Sequence, residues 1–235
     1  MSGEISDFKG FPVEFFTFFE KLKQNNNREW FTENKPAYEK YVVAPMQSFI
    51  VTFEPRLVGI SPHFIASPKK VGGSMFRIHR DVRFAKDKRP YKEHAACQFR
   101  HEAGKDAHAP GYYLHLATDG VVAGAGVWLP AADKLLKIRQ RIVDKASLWQ
   151  QVLEAGEMRV FVEGIEGETL VRPPKGFSVE ERHLQDIKRK SFIVKRRFSL
   201  QQAQSAEFLS EVADTYLSAA PLMRFLCAAV EVSYD

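Results

Sequence analysis

The chain has 235 residues, enough to bury a substantial core in one large domain or two small ones. Apolar residues make up 45% and charged residues 27%, a globular balance that excludes a disordered or fibrous chain. The net charge of +5 is unevenly placed: residues 69–92 hold nine cations against two anions, so that window carries +7 and the remainder −2. Such asymmetry points to a localised anionic partner.

The first third reads as helices. Phe15, Phe18, Phe19 and Leu22 recur at helical spacing after Phe11-Pro12, and the run closes at Gln24 and Asn25–Asn27. Residues 28–32 are expected to form a short helical turn bearing Trp30 and Phe31. A longer helix is expected from Pro36 through Tyr41, Met46, Phe49 and Phe53, kinked at Pro45.

The middle reads as strands. Residues 74–79 are expected to be extended, with Phe76 and Ile78 on the core side and Arg77 and His79 on the other. Residues 94–100 and 111–117 form the arms of an expected hairpin, and Asp119-Gly120 turns into a third strand over 121–129. Gly124 and Gly126 in that strand mark a bulge or a close neighbour.

Helices are expected over 133–142 and 147–155, a short strand pair at 159–162 and 169–171, a polar helix over 180–190 and a strand over 192–195. Ser199 with Gln202 reads as a capping box opening a long C-terminal helix that Pro221 divides. With no repeat, linker or composition break, the expected fold is a single α+β domain over 1–235. Its mainly antiparallel sheet is flanked by N-terminal and C-terminal helices.

Two distant cysteines, Cys97 and Cys227, cannot staple a chain this long, which favours a reducing compartment. Residues 1–7 lack the basic start and apolar core of a signal peptide. The most apolar stretch, 219–230, is interrupted by Arg224 and falls short of the roughly 20 residues of a membrane span. No membrane association and a cytoplasmic location are therefore expected.

The densest chemistry lies at Arg77, Arg80, Asp81, Arg83, Phe84, Asp87, Lys88 and Tyr91, an Arg-x-x-Arg-Asp-x-Arg-Phe stretch followed by Asp-Lys and a tyrosine. Here the chain resembles domain-of-unknown-function family 2461, a group of mostly bacterial proteins of about this length. The likeness also takes in residues 25–31, 69–73, 111–116 and 174–177. After Phe177 the chain departs from the family's Asp-His-Pro-like step and reads Ser178-Val179-Glu180-Glu181-Arg182-His183. The resemblance implies membership and no activity, so function must come from the residues.

Three readings stand for the basic segment. In the first, Arg77, Arg80, Asp81, Arg83, Asp87, Lys88 and Lys92 form a site for a phosphate-bearing ligand, whether nucleotide, phosphorylated metabolite or nucleic-acid backbone, because arginine's planar fork matches phosphate. In the second, the chain is an enzyme acting on that ligand, with Tyr91 or His94 moving the proton and His79 as a further candidate. In the third, Asp81 and Asp87 hold Arg77, Arg80 and Arg83 in a structural clasp, with Phe84 and Tyr91 anchored on the core, in a protein-interaction module that works through partner contacts.

His94, His101, His108 and His115 recur every seven residues. In the expected hairpin they form at most two pairs, and with Glu102 and Asp106 they match no zinc spacing, so neither a metal nor a cofactor is expected. A second basic run, Lys188-Arg189-Lys190 with Lys195-Arg196-Arg197, is either an exposed face or an extension of the first patch. Trp30, Trp128 and Trp149 read as core or rim.

Overall fold

A computed structural model describes residues 8–104 and 109–235. Among these, helix α1 (Val13–Gln24) buries Phe15, Phe16, Phe18, Phe19 and Leu22. The Asn27 side chain accepts the Trp30 N–H and opens α2 (Arg28–Tyr38). Rather than a separate turn and a kinked helix, α2 runs through a π-helical turn, Glu39–Val43, into α3 (Ala44–Ile60). In that turn the Ala44 N–H reaches back five residues to the Glu39 carbonyl, so the ladder widens just before Pro45, which has no N–H to give.

Five strands follow: β1 (Phe64–Ile65), β2 (His94–His101), β3 (Gly111–Ala117), β4 (Gly120–Val127) and β5 (Phe192–Phe198). They lie in the order β1-β2-β3-β4-β5, every neighbour antiparallel. The expected hairpin forms with Cys97 opposite Leu114 and Leu114 opposite Ala123. Residues 74–79 do not form a strand. They touch the sheet through isolated bridges, Met75 to Cys97 and His79 to Tyr91, which do not share a register: four residues separate the bridges on one side and six on the other, so no continuous ladder forms. Ile78 is core as expected, whereas Phe76 turns to the opposite face.

Helices α8 (Phe208–Ser218) and α9 (Ala220–Ala229) lie against β4 and α3 against β1, with α4 (Ala132–Asp144) and α5 (Ala146–Glu154) packed on α9, and the core is continuous from Phe8 to Tyr234. Three expectations change. The 159–162 strand is replaced by a 3₁₀ turn, Gly156–Val160, and the chain then meets β5 through an isolated Glu166 to Ile193 bridge. The polar helix shrinks to one turn, α6 (Leu184–Ile187), since it lacks an apolar stripe. The Ser199/Gln202 capping box is present, but α7 (Leu200–Ala203) ends after one turn because the Phe11 N–H takes the Ala203 carbonyl.

Gly126 has φ +132°, and a Cβ there would stand 2.0 Å from the Phe192 carbonyl oxygen, so β4 and β5 approach through a position that requires glycine. Gly126→Ala should lower stability by about 2–3 kcal/mol. Gly59→Ala, with open space around its Cβ in α3, should instead gain up to about 1 kcal/mol. Urea unfolding of the two variants checks both signs.

Candidate functional site

The basic segment is braced from within. The bridge between His79 and Tyr91 closes a loop, and Tyr91 is buried with its ring stacked 4.1 Å from Phe31. Asn26, in the turn between α1 and α2, grips it from below. Its amide donates to the Tyr91 carbonyl (3.0 Å) and to Glu93 (3.1 Å), while its oxygen accepts the Tyr91 N–H (3.1 Å).

Above this base, Asp87 accepts from Arg80 (2.8 Å) and Arg89 (2.7 Å), and Arg89 also pairs with Glu93. Asp81 accepts twice from Arg83, at 3.0 and 2.7 Å. Lys88 donates to the Val82 carbonyl at 3.0 Å. The Arg83 guanidinium holds the Asp81 carboxyl below its usual range, and Arg89, then Arg80, does the same to Asp87. Arg77 and Lys86 make no ion pair among the described residues. Lys92 donates to the Arg77 carbonyl (3.0 Å) and stands 5.4 Å over the Phe76 ring. Tyr91 is thus anchored in the core, but Phe84 is not: it is 96% exposed at the loop's outer part.

A second constellation lies on the sheet face turned away from the helices. Alternation along the strands puts His94, Gln98 and Arg100 of β2, Tyr113 and His115 of β3, and Lys195 and Arg197 of β5 on that face. The pairing register sets Tyr113, Gly124 and Lys195 in one row and His115, Val122 and Arg197 in the next. Gly111, Gly124 and Gly126 leave the centre of the face without side chains. The result is a cleft of about 550 Å³ walled by Phe76, Tyr113, His115, Trp128, Lys195 and Arg197.

His94 stands beside the cleft with its ring 4.3 Å from that of His115 in the wall, and the Tyr113 hydroxyl is 3.2 Å from His115 Nδ1. Burial, then the neighbouring His115 and Lys92, pushes His94 down to about 4. Burial likewise lowers His115, and it raises Tyr113 to about 12. At neutral pH both imidazoles are therefore uncharged with lone pairs available. Burial and then Arg77 lower Lys92. Lys195 pairs with Glu166 at 2.7 Å, whereas Arg197 makes no ion pair among the described residues.

The sequence candidates divide accordingly. Arg80, Asp81, Arg83, Asp87 and Lys88 are brought together in the brace, and Tyr91 is its anchor. Lys92 and His94 sit where the loop joins β2, beside the cleft. His79 is exposed at the loop base. His101 is buried and bonded to the Ser233 carbonyl (2.7 Å) and the Ala103 N–H, and His183 to the Ala146 carbonyl (3.0 Å). His108 and Asp106 lie outside the described residues. No cluster of three or more His, Cys, Asp or Glu side chains suited to a metal occurs among the described residues. Sequence reasoning missed Tyr113, Trp128 and Arg197 as members of one site. The signal that could have found them is the two-residue alternation that groups them opposite the core.

The family model for DUF2461, described as a conserved hypothetical protein, matches residues 14–225 and so spans both the brace and the cleft. The chain belongs to the DUF2461 family. No curated protein and no solved structure matches it. No helix among the described residues of this DUF2461 chain is long and apolar enough to cross a membrane.

The depressed His94 value has a stability consequence. An unfolded imidazole takes up a proton near pH 6.5, but His94 in the fold stays neutral down to about 4. The unfolded state therefore binds more protons in that window, and stability present above pH 6.5 is lost as pH falls to 4. Discounted for partial exposure, the loss is on the order of 2 kcal/mol. Urea unfolding at pH 7 and 4.5 should show a smaller drop for His94→Gln than for the wild type.

Proposed function

We propose that the cleft on the open sheet face binds a small phosphate-bearing molecule. Arg197 and Lys92 face the phosphate, Arg77 adds positive charge at the rim, and Phe76 and Trp128 flank an apolar or planar remainder. The observation that carries this reading is the cleft itself. Its floor is glycine backbone, its wall carries Lys195 and Arg197, and Lys92 of the other basic run stands beside it over the Phe76 ring. Its volume falls within the range of small-molecule sites.

The distribution of partners supports placing the anion here rather than on the outer loop. Asp81 and Asp87 already occupy Arg83, Arg80 and Arg89, so an incoming phosphate would have to displace a carboxylate from each. Arg197 has no such competitor among the described residues and can offer its planar fork directly. The brace then serves binding indirectly, by fixing Lys92 and Arg77 at the cleft's edge. The bounded volume of about 550 Å³ favours a nucleotide or phosphorylated metabolite over a continuous nucleic-acid backbone. The buried free thiols Cys97 and Cys227 suit the reducing cytoplasm in which such ligands abound.

Isothermal titration with inorganic phosphate and with adenosine monophosphate tests the assignment. Binding should weaken as salt is raised. It should fall at least about tenfold in Arg197→Ala, which loses a charge-assisted contact, and change by no more than about twofold in Arg83→Ala, whose exposed pair with Asp81 contributes little. The reverse pattern would return the anion to the loop.

A further inference from the structure

Apart from the exposed His79, the described histidines fall into two classes. His101 and His183 have ring nitrogens bonded to backbone groups, and His63 bonds Glu102 at 2.6 Å, as structural histidines do. His94 and His115 are different. Both are half-buried beside the cleft with their rings 4.3 Å apart, yet the one protein hydrogen bond to either among the described residues is from His115 Nδ1 to the Tyr113 hydroxyl. In the tautomer whose Nδ1–H donates to the Tyr113 oxygen, that contact orients the His115 ring and leaves the Nε2 lone pair without a protein partner among the described residues. His115 also lines the cleft directly, one position in the strand pairing from Val122 and two from Arg197. Neither ring contributes to the buried unpaired side-chain atoms, which among the described residues are Arg139 Nε, Arg141 Nε and the Tyr216 hydroxyl, so the unbonded imidazole nitrogens stay accessible from the open face.

We propose that the cleft cleaves the phosphate ester it binds, with His115 as the general base. The inference rests on the cleft being the phosphate site. His115 Nε2 takes a proton from a water molecule as the water oxygen bonds to phosphorus. The ester P–O bond breaks, and the departing oxygen receives the proton back from the imidazolium, giving an alcohol and a phosphate. Arg197 and Lys92 offset the negative charge that grows on the equatorial oxygens. Tyr113 is a positioning residue, since its hydroxyl fixes the ring that must meet the water. His94 stands behind His115, and burial keeps both imidazoles uncharged, His115 ready to accept, at neutral pH.

The test uses 4-nitrophenyl phosphate and bis(4-nitrophenyl) phosphate, whose rings suit the Phe76 and Trp128 walls. Nitrophenol release by the full chain should be lost by about 100-fold or more in His115→Gln, within the range that acid–base groups contribute. Phosphate affinity by titration should stay unchanged. Tyr113→Phe provides a second variant, expected to lower kcat without altering phosphate affinity or melting temperature. Wild-type rates retained in His115→Gln would overturn the proposal. So would a wild type that binds phosphate and releases nitrophenol from neither ester. Failure to bind phosphate at all would instead strike the binding assignment beneath it.

Discussion

Strands β2 to β5 present alternate residues to two different environments, and only one of those is filled by helices. On the covered face, Cys97, Phe99, Leu114, Ala123 and Val194 meet α3, α8 and α9 and are fully buried. Among the described residues, those between them have no helical layer to pack against. Their identities follow from that: glycine at the centre, then tyrosine, histidine, glutamine, lysine and arginine, with Phe76 and Trp128 at the margins. A face made this way cannot be flat, because the missing side chains at Gly111, Gly124 and Gly126 form a hollow between larger neighbours. The cleft is thus a consequence of one-sided cover combined with glycine at the middle of the sheet.

The basic loop follows a different rule. Cations packed into so short a segment repel one another unless acids or solvent separate them. Here Asp81, Asp87 and Glu93 each engage a guanidinium, while Asn26 and the Phe31 ring fasten the loop base to the helical turn below. The ion pairs are exposed and individually weak. The buried Tyr91 with its two hydrogen bonds to Asn26, and the Asn26 bond to Glu93, give the loop its fixed exit into β2. That exit sets Lys92 and His94 against the sheet face. Brace and cleft are consecutive along the chain, one positioning the first residues of the other.

Much of this was legible in the residues. Helical spacing of phenylalanines located α1, the hairpin of β2 and β3 appeared with its correct arms, and the Ser199/Gln202 box is where the pattern put it. The departures have local causes. α7 stops because Phe11, nearly two hundred residues away, claims the carbonyl that would continue it. β5 extends to Phe198 through a run that reads as a charged surface, yet Arg196 lies on the helical side, its guanidinium 4.9 Å from the Phe198 ring and near Thr215. The cleft was harder to see because its members are single residues on four strands, while the basic motif is contiguous. Density along the chain drew attention to residues whose charges are largely answered by their own neighbours. The His94–His115 pair was within reach, since an antiparallel hairpin brings such positions together, but its meaning depends on the open face beside it.

The central claim is that phosphate meets this protein on the open face of the sheet and not on the outer basic loop. The most direct measurement is a phosphate titration followed by amide and imidazole chemical shifts in solution. The account predicts that the responses concentrate at Lys92, Tyr113, the His94 and His115 rings and Arg197, with residues 81–88 little changed. Responses confined to Arg80, Arg83 and Arg89, with the two imidazoles silent, would contradict it.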